Sequence, residues 1–544
     1  MIRNPILPGF NPDPSIIRVE NDYYIVTSTF EWMPGIPLYH SRDLIHWRQV
    51  DNLLKTKKYL DMTGERPSRG VWAPALTHDE KNKRFYLVYS NVHNQTRSFF
   101  DVDNFLIWSD DLFGVWSDPI YLNSSGFDPS LFIDDDGSFW LVNKDRDFRP
   151  ENVDKRSIVL QRYDWDGKAL AGEPAVISRG ATERRFVEGA HIFKKDGLYY
   201  LIAAEGGTGY GHAVTLSRAK EITGPYESSP YGVILTSQPK EFAATEKTHF
   251  MMPEQYNPEA QLQKSGHGSL VETTSGEWYM AHLCGRPVMP QMRCVLGRET
   301  SIQKMEWTDD GWLRMSDGSN LAKVMVPAPN LTVHPFPPEN PLCDFDEAEL
   351  PVYFCTPRNE ITPDWADFTS RKGYLRLRGR ESLSSYYRLS LLARRLTSLK
   401  TEATALLEYA PTHYHHLAGI TCYYDSESHF CLYKTYDEIK QQEILAAYAF
   451  EHNAMRMIGK PLAIKAGAPL WLRMTVEVDK LHLLYSTDGE AYQTFGDPQD
   501  ITVLSDEHSK CGCFTGTFIG VFAQDTHTQS KWADFDWFRY DVLE

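Results

Sequence analysis

A pattern that recurs five times in the N-terminal part of the sequence constrains the fold of this chain more than any other feature. Each copy consists of a short apolar stretch, a polar turn, and a second apolar stretch that begins with aromatic residues. The copies start at Asp13, Ala73, Asp128, Glu188 and His267. Each copy is typical of a β-hairpin, and the spacing between copies leaves room for about four short strands, the size of a propeller blade. The repeats therefore predict a five-bladed β-propeller.

The chain beyond the last repeat has a different pattern, which predicts a second domain. Residues 326–340 are rich in proline, which is typical of a stiff linker. Residues 341–544 contain many short alternating runs, such as AGITCYYD and FIGVFAQD, separated by turn residues. Such runs without a long helical pattern are typical of a β-sandwich. We therefore expect an all-β protein with a propeller at residues 1–325 and a sandwich at residues 341–544.

Composition and charge exclude several classes of partner and location. The formal net charge is −17, so a nucleic-acid partner is not expected, because such binding depends on Lys and Arg. No apolar run is long enough to span a membrane, and the N-terminus lacks the apolar stretch of a secretion signal. The eight cysteines are scattered without a C-x-x-C pair, which favours reduced structural thiols. We therefore expect a cytoplasmic protein without a nucleic-acid or membrane partner.

Three of the five repeat starts are acidic, and this is the strongest functional signal in the sequence. The blades of a propeller place their innermost strands around one channel, so Asp13, Asp128 and Glu188 are expected at one mouth of it. An Asp-Pro pair alone is a common turn former, but three carboxylates held together are unfavourable unless the protein uses them. Such a group suits glycoside hydrolysis, in which one carboxyl group donates a proton and another stays ionised. The third acid would tune the pKa of the proton donor.

Aromatic and basic residues near the repeats are candidates for binding a sugar. Phe30, Trp72 and Trp140 lie close to the hairpins that begin at the acids, where flat rings could pack on sugar faces. Each of them alone is more typical of a propeller core. Arg286 and Arg298 lie near the last repeat, where a guanidinium could bind sugar hydroxyls and lower the pKa of an acid. A surface ion pair is the alternative for both arginines.

Histidines form two further candidate groups. His267 occupies the fifth repeat start, where it could bind calcium or another divalent cation, or could simply satisfy backbone groups of the core. His413, His415 and His416 in THYHHLAG are better explained as a strand face, because no acid or cysteine lies at supporting spacing. The acid–base chemistry itself requires no cofactor.

Seven motifs resemble, in order, those of the β-xylosidases of glycoside hydrolase family 43: NPDPS, GVWAPA, GFDPSLF, VEGAHIFKK, AEGGTGY, GHGSLVET and LGRETS. The similarity extends over the whole chain, including FTGTFIGVFAQD near the C-terminus. The resemblance implies a five-bladed propeller followed by a concanavalin-like sandwich. It also implies an exo-acting, inverting hydrolase that releases xylose from the non-reducing ends of β-1,4-xylooligosaccharides, with a side activity on α-L-arabinofuranosides.

The same resemblance implies roles for individual residues. Asp13 would be the general base, Glu188 the general acid, and Asp128 a modulator that holds and tunes Glu188. The residues implied in the sugar pocket are Phe30, Trp72, Trp140, Arg298 and, from the sandwich, Phe514, which would close it. Relatives of this size often form dimers or tetramers, so a homo-oligomer is expected.

Two alternatives stay open on the sequence alone. The first is an α-L-arabinofuranosidase or an endo-acting arabinanase on the same propeller. The second belongs to a different class, a non-catalytic carbohydrate-binding protein whose propeller is a lectin and whose sandwich is a second binding module. Three aligned acids argue against the lectin, because recognition of a neutral sugar needs no cluster of acids.

Overall fold

The protein is described by a computed structural model that covers residues 1–96, 99–149, 152, 157–238, 255–347, 349–511 and 513–543. Over these ranges the regular secondary structure is almost entirely β-strand, and turns and irregular segments connect the strands, with a 3-10 turn at Ile501–Val503. Within the same residues, no helix has the length and apolar character needed to cross a membrane.

Among the described residues, the N-terminal part of the chain contains 24 strands, of which 21 form five antiparallel sheets, each one blade of a propeller. In chain order these strands are β1 (Ile2–Arg3), β2 (Ser15–Val19), β3 (Asp22–Val26), β4 (Trp32–Met33), β5 (Gly35–Ser41), β6 (Arg48–Leu54), β7 (Gly70–Asp79), β8 (Arg84–Gln95), β9 (Phe100–Ser109), β10 (Ile120–Asn123), β11 (Ser130–Ile133), β12 (Phe139–Asp145), β13 (Ser157–Asp164), β14 (Ala169–Ser178), β15 (Glu188–Lys195), β16 (Leu198–Glu205), β17 (Ala213–Ala219), β18 (Glu227–Ser228), β19 (Leu235–Thr236), β20 (Gln263–Glu272), β21 (Trp278–Gly285), β22 (Arg298–Trp307), β23 (Leu313–Met315) and β24 (Met325–Val326).

Within each blade, the strands lie side by side in the order in which they occur in the chain. The strand orders are β2-β3-β5-β6, β7-β8-β9-β10, β11-β12-β13-β14, β15-β16-β17-β18 with β19 also on β17, and β20-β21-β22-β23. The first strands of the five blades line a shared central cavity of about 530 Å³. These first strands are therefore the innermost ones, and their starting residues surround one mouth of the channel.

The N-terminal segment closes the ring of blades by pairing with the last blade. Leu7 forms a β-bridge with Thr300 of β22, and the N–H of Asn11 donates to the carbonyl of Arg298 (2.9 Å). β1 also pairs with β24, which follows the last blade. Because Asp13 follows this segment directly, closure of the ring places it beside the start of β22.

The C-terminal strands form two antiparallel sheets that make a sandwich. In chain order these strands are β25 (Leu342–Cys343), β26 (Thr356–Pro357), β27 (Ala366–Asp367), β28 (Leu375–Arg378), β29 (Ser390–Arg395), β30 (Lys400–Glu408), β31 (His416–Asp425), β32 (Ser428–Asp437), β33 (Gln442–Glu451), β34 (Ala454–Ala463), β35 (Leu470–Glu477), β36 (Lys480–Ser486), β37 (Gln493–Thr494), β38 (Gln499–Asp500), β39 (Phe518–Asp525) and β40 (Trp532–Val542). One sheet has the order β27-β28-β40-β30-β35-β36-β37, with β25 on β40 and β38 on β36, and the other has β29-β39-β31-β32-β33-β34.

The sandwich packs against the propeller through an apolar interface. The rings of Trp32 and Phe518 stack with their centroids 3.5 Å apart, and β4 of the propeller pairs with β26. Both rings are fully buried, and burying a side chain of this kind stabilises a fold by about 1.5–3 kcal/mol. The loop before β39, which carries Phe514, is thereby held against the propeller.

The propeller followed by a sandwich confirms the predicted fold class, but one detail of the repeat alignment is wrong. Four repeat starts have a left-handed backbone: Asp13 (φ 54°), Ala73 (35°), Asp128 (54°) and His267 (52°). In the fourth blade this conformation falls on Gly189 (56°), so Glu188 lies one residue before the equivalent position. Spacing could not reveal this, because the hairpin turn between the compared residues varies from two residues after β2 to five after β11.

Candidate active site

The three acids predicted from the repeats lie together at the mouth of the channel. Asp13 and Asp128 stand two residues before β2 and β11, and Glu188 is the first residue of β15. The charges of Glu188 and Asp13 both act on Asp128. Asp13 and Asp128 are each only 7% exposed, whereas Glu188 is half-buried. The group therefore combines two enclosed carboxyl groups with one that is more accessible.

Asp13 lies among groups that favour its ionised form. Burial raises the pKa of Asp13, but Arg298, His267 and Ser28 together bring it below the usual value for aspartate. From its Oδ1 atom, Nη1 of Arg298 is 3.3 Å away and Nδ1 of His267 is 3.7 Å away. The hydroxyl of Ser28 donates a hydrogen bond to Oδ2 (2.7 Å). Asp13 is thus a carboxylate near neutral pH, the state that a general base requires.

Asp128 has the opposite electrostatic environment. Burial raises the pKa of Asp128 well above its usual value, and the charges of Glu188 and Asp13 raise it further. The N–H of Gly189, which donates to Oδ2 of Asp128 (2.9 Å), and the ammonium of Lys144 offset this only in part. Because neighbouring carboxyl groups do not all ionise easily, Asp128 favours its protonated form, in contrast to Asp13.

Gly189 connects the acids of two blades and has no room for a side chain. Its φ of 56° lies in the left-handed region, and a Cβ atom there would lie 2.9 Å from Nδ1 of His267. Its N–H is the donor to Asp128, and its neighbour in the chain is Glu188. Glycine at this position therefore lets the fourth blade pack against His267 of the fifth blade, while its N–H donates to Asp128 of the third.

Ser28 belongs to the site although no sequence motif points to it. It follows β3, and its N–H donates to the carbonyl of Pro12 (3.1 Å), which places it across from Asp13. Its hydroxyl donates to Asp13 and accepts a hydrogen bond from the N–H of Ala73 (2.7 Å). Ser28 thus connects Asp13 to the backbone of the second blade and fixes the orientation of the carboxylate.

Lys144 is the second residue that the sequence patterns miss. It lies in β12 with its N–H donating to the carbonyl of Phe127 (2.9 Å), a position that corresponds to Ser28 in the first blade. Its side chain is fully buried, with Nζ 3.9 Å from Oε2 of Glu188 and donating to the carbonyl of Val187. Both residues lie in or just after the second strand of their blade, across from an acid, and a polar residue at that paired position is the signal that could have identified them.

Aromatic rings from both domains form one wall next to the acids. The ring of Trp72 lies 5.5 Å from Phe30, 5.5 Å from Phe127 and 5.3 Å from Phe514, measured between centroids. Phe30 also stacks on Phe514 at 5.9 Å. The structure therefore brings the predicted residues Phe30, Trp72 and Phe514 together, and adds Phe127, which immediately precedes Asp128. Flat apolar faces of this kind pack well against the C–H groups of a sugar.

Arg298 links Asp13 to this aromatic wall. Its guanidinium carbon lies 5.4 Å from the ring centroids of Phe30 and Phe514. Nη1 faces Asp13 and donates to Oγ1 of Thr208 (2.8 Å), and Nη2 donates to the carbonyl of Phe514 (3.1 Å). With only 3% of its surface exposed, Arg298 is a fixed positive charge that holds the sandwich loop and lowers the pKa of Asp13 at the same time.

Trp140 and Arg286 are not brought to the acids. Trp140 lies near the turn end of β12, where Nε1 donates to Oγ of Ser138 (2.9 Å), and Lys144 lies four residues further along the strand. At about 3.3 Å per residue this separates the two by about 13 Å. Arg286 forms a two-pronged ion pair with the buried carboxylate of Glu299 (2.6 and 2.8 Å). The predicted place of Trp140 in the pocket is corrected, and Arg286 corresponds to the ion-pair alternative.

His267 lies beside the acids, but the residues around it do not fit calcium. Burial lowers the pKa of His267, although Asp13 and Glu188 oppose this, so its imidazole is neutral near neutral pH. The oxygen donors whose charges act on it are those same two carboxylates, and the cations Arg298 and Lys144 face them. Calcium takes about 6 to 8 oxygen ligands, so this donor set is too small and too close to other cations.

Family models match both parts of the chain. Residues 2–313 match Glycosyl hydrolases family 43, and residues 343–541 match the Beta xylosidase C-terminal Concanavalin A-like domain. The first match covers the five blades with all three acids, and the second covers the sandwich with Phe514.

Individual relatives are similar over their whole length. The chain is 40% identical to Xylosidase/arabinosidase 43B of Humicola insolens, covering 100% of this chain and 98% of the relative. It is 38% identical to a xylan 1,3-beta-xylosidase of Vibrio sp, with 99% of each covered. A crystal structure of a xylan beta-1,4-xylosidase from Bacillus halodurans C-125 has a TM-score of 0.93 at 46% identity, covering 99% of this chain and 100% of that one. The chain belongs to glycosyl hydrolase family 43.

Proposed function

We propose that this glycoside hydrolase is an exo-acting, inverting β-xylosidase that releases xylose from the non-reducing ends of β-1,4-xylooligosaccharides. The observation that carries the proposal is the unequal environment of the carboxyl groups at the channel mouth. Asp13 has a lowered pKa and Asp128 a raised one, and both are nearly buried. Hydrolysis of a glycosidic bond requires one ionised and one protonated carboxyl group in a single cavity, and these unequal environments favour that combination.

Asp13 is proposed as the general base. It would take a proton from a water molecule as that water attacks the anomeric carbon of the terminal sugar. Arg298 and Ser28 hold its carboxylate in place and keep it ionised, so the proton acceptor is ready before the substrate binds. Attack by water rather than by a carboxylate inverts the anomeric configuration, and requires a base and an acid about 6.5 to 9.5 Å apart.

Glu188 is proposed as the general acid and Asp128 as its modulator. Asp128 is nearly buried and its Oδ2 is engaged by the N–H of Gly189, so it is poorly placed to reach a leaving group. Glu188 is the more accessible member of the pair. As the glycosidic bond breaks, Glu188 would donate its proton to the leaving oxygen, and the ammonium of Lys144, 3.9 Å away, would stabilise the carboxylate that forms.

The aromatic wall supports exo action. Phe514 comes from the sandwich and packs on Trp72 and Phe30 of the propeller, so one side of the channel mouth is closed by the second domain. A site closed on one side admits the end of a chain, whereas an endo-acting enzyme needs an open groove. The contact of Arg298 with the carbonyl of Phe514 holds this closure in place (3.1 Å).

The substrate class is taken from the relatives and remains part of the proposal. Their names include β-1,4-xylosidase, β-1,3-xylosidase and arabinosidase activities. We infer β-1,4-xylooligosaccharides as the main substrates, with α-L-arabinofuranosides as side substrates. The alternatives are an arabinofuranosidase or arabinanase as the main activity, and a lectin without turnover.

A product profile tests these possibilities together. The enzyme is given xylotriose, a β-1,3-linked xylobiose, an aryl α-L-arabinofuranoside and linear arabinan in parallel, and the products are separated by chromatography. The proposal predicts xylose and xylobiose from xylotriose, slower release from the arabinofuranoside, and no internal cleavage of arabinan. Faster cleavage of arabinan or of the β-1,3 linkage would contradict the proposed substrate, and binding of xylotriose without any product would indicate a lectin.

Assembly, location and metal content are separate parts of the proposal. We infer a homo-oligomer, a dimer or tetramer, which light scattering of the purified protein would test. A cytoplasmic location is supported by the eight cysteines, all of which are free thiols. The proposed acid–base steps require no calcium or other divalent cation near His267.

A further inference from the structure

A second group of titratable side chains lies in the sandwich and takes no part in the proposed reaction. Glu451 is the last residue of β33, His452 follows it in the turn to β34, and His508 lies in the loop between the 3-10 turn and β39. One potential ligand atom of each side chain lies within 4.8 Å of the other two. Residues far apart in the sequence are thus brought together by the fold.

The distances within this group are close to those of a metal site. Nε2 of His508 lies 2.7 Å from Oε1 of Glu451, and Nε2 of His452 lies 4.0 Å from the same oxygen. The centroids of the two imidazole rings are 4.6 Å apart. Tetrahedral zinc holds nitrogen and oxygen ligands at about 2.0–2.2 Å, which puts neighbouring ligand atoms about 3.4 Å from each other. The two observed separations, 2.7 and 4.0 Å, lie on either side of this value. Small rotations of the side chains would therefore bring the three ligand atoms to zinc-binding distances.

The donor set selects the class of ion. Two imidazole nitrogens and one carboxylate oxygen suit zinc and similar transition metals, whereas calcium and magnesium need more oxygen ligands. The three side chains are 20% (His452), 17% (His508) and 41% (Glu451) exposed, so an ion can enter from solvent and keep a water ligand.

The position of His508 connects this group to the active site. The preceding residues, Asp506 and Glu507, face the buried ammonium of Lys264 in the fifth blade at 3.8 and 2.5 Å. Phe514, which closes the channel mouth, follows in the same loop. An ion bound to both His508 and the β33–β34 hairpin would therefore anchor the loop that carries Phe514 to the sandwich.

We propose that Glu451, His452 and His508 form a binding site for a divalent transition-metal ion, best matched by zinc, that fixes this loop to the body of the sandwich. The ion would have three protein ligands and at least one water molecule. The site is distinct from the three catalytic acids and does not depend on the proposed substrate.

Calorimetric titration of the full chain tests the site directly. The protein is freed of metal with a chelator, dialysed, and titrated with zinc chloride. Wild-type protein is expected to bind one zinc ion that is lost or weakened at least tenfold in His508→Ala and in His452→Ala, since even outer-shell changes weaken metal sites about 10- to 100-fold. Glu451→Gln, which keeps both imidazoles and a similar shape, should weaken binding as well.

A second histidine group provides the matched control. The ring of His413 stacks on those of His415 and His527, with centroids 5.0 and 4.4 Å apart. Stacked rings do not aim their nitrogens at a common point, so His413→Ala should leave the zinc affinity unchanged. Loss of zinc binding in His413→Ala, with retention in His508→Ala and His452→Ala, would overturn the proposal.

Cobalt substitution and thermal unfolding complete the test. Cobalt bound by two imidazoles and a carboxylate should absorb in the visible range without a thiolate charge-transfer band. Such a band would assign the metal to Cys511 or Cys513 and overturn the proposal. Zinc should also raise the unfolding temperature of wild-type protein more than that of His508→Ala. Far-ultraviolet circular dichroism of each variant verifies folding, and the absence of zinc binding in wild-type protein would equally overturn the site.

Discussion

The first and third blades begin with the same tripeptide, Asp-Pro-Ser, yet the two aspartates have opposite electrostatic environments. Asp13 and Asp128 share a φ of 54° and are equally buried. The pKa of Asp13 is lowered and that of Asp128 is raised. Since the motif, the backbone and the burial are the same, the difference must come from neighbours on other strands and other blades.

The neighbours differ in charge and in origin. Closure of the ring by the N-terminal segment brings Arg298 of the fifth blade to Asp13, whereas Asp128 meets Glu188 of the fourth blade. The residue across from Asp13 is a serine that donates to it, and the residue across from Asp128 is Lys144, which lies near Glu188. One repeated motif thus gives an aspartate that favours its ionised form in one blade and an aspartate that favours its protonated form in another.

Removing the ionised acid should have the largest effect. Asp13→Asn keeps the size of the side chain but cannot accept the proton from water, so kcat on xylobiose should fall by about 10²- to 10⁴-fold. Asp136→Asn, at the exposed tip of the β11–β12 turn, is the matched control and should keep wild-type kinetics. Activity of Asp13→Asn within tenfold of wild type would show that the two aspartates do not differ in function as described.

Removing the proton donor should have a large effect that depends on the substrate. Glu188→Gln cannot protonate the leaving oxygen, so turnover of xylobiose should fall by about 10²- to 10⁴-fold. A nitrophenyl xyloside needs little protonation because its leaving group is a weak base, and its hydrolysis should fall much less. Rates for a series of aryl xylosides give the dependence on leaving-group basicity, and an equal loss on all substrates would contradict the role of Glu188.

Changing the neighbour of Asp13 should have a smaller effect, visible as a shift in pH dependence. Arg298 lowers the pKa of Asp13, so Arg298→Met should raise that pKa and move the acidic limb of the kcat/KM profile to higher pH. The base must be deprotonated to act, so activity is lost first at low pH. Ser28→Ala should shift the same limb in the same direction by less, since Ser28 contributes less than Arg298. If the acidic limb of Arg298→Met stays at the wild-type position, Arg298 is not the cause of the difference between Asp13 and Asp128.

The fold and the acids were predictable because each rests on a repeated local pattern. Five similar hairpins predict five blades, and a shared position in the blades predicts a shared place at the channel mouth. Glu188 was located correctly within the group although its register was off by one residue, because a longer side chain at a nearby position still reaches the same mouth. Phe514 was implied by the resemblance of the whole chain and not by the repeats.

The positions of the remaining residues depend on strand pairings and loop contacts that local sequence patterns do not reveal. Ser28 and Lys144 are defined by which residue lies across from each acid, and that register depends on bulges and on turn lengths. The pocket position expected for Trp140 is wrong because the hairpin that carries it puts Trp140 near the turn, about 13 Å along the strand from Lys144, the residue that faces Glu188. The proposed zinc site joins a hairpin turn to a loop more than fifty residues later, and no spacing in the sequence indicates that contact.

The most direct test of the unequal acids is the configuration of the sugar first released. Wild-type enzyme is mixed with an aryl β-xyloside in an NMR tube, and the anomeric proton signals are followed before mutarotation equilibrates them. If Asp13 activates the attacking water and Glu188 protonates the leaving group, the initial product is α-xylose. Initial β-xylose would mean that a carboxylate attacks the sugar, and would contradict the assignment of Asp13 as the base.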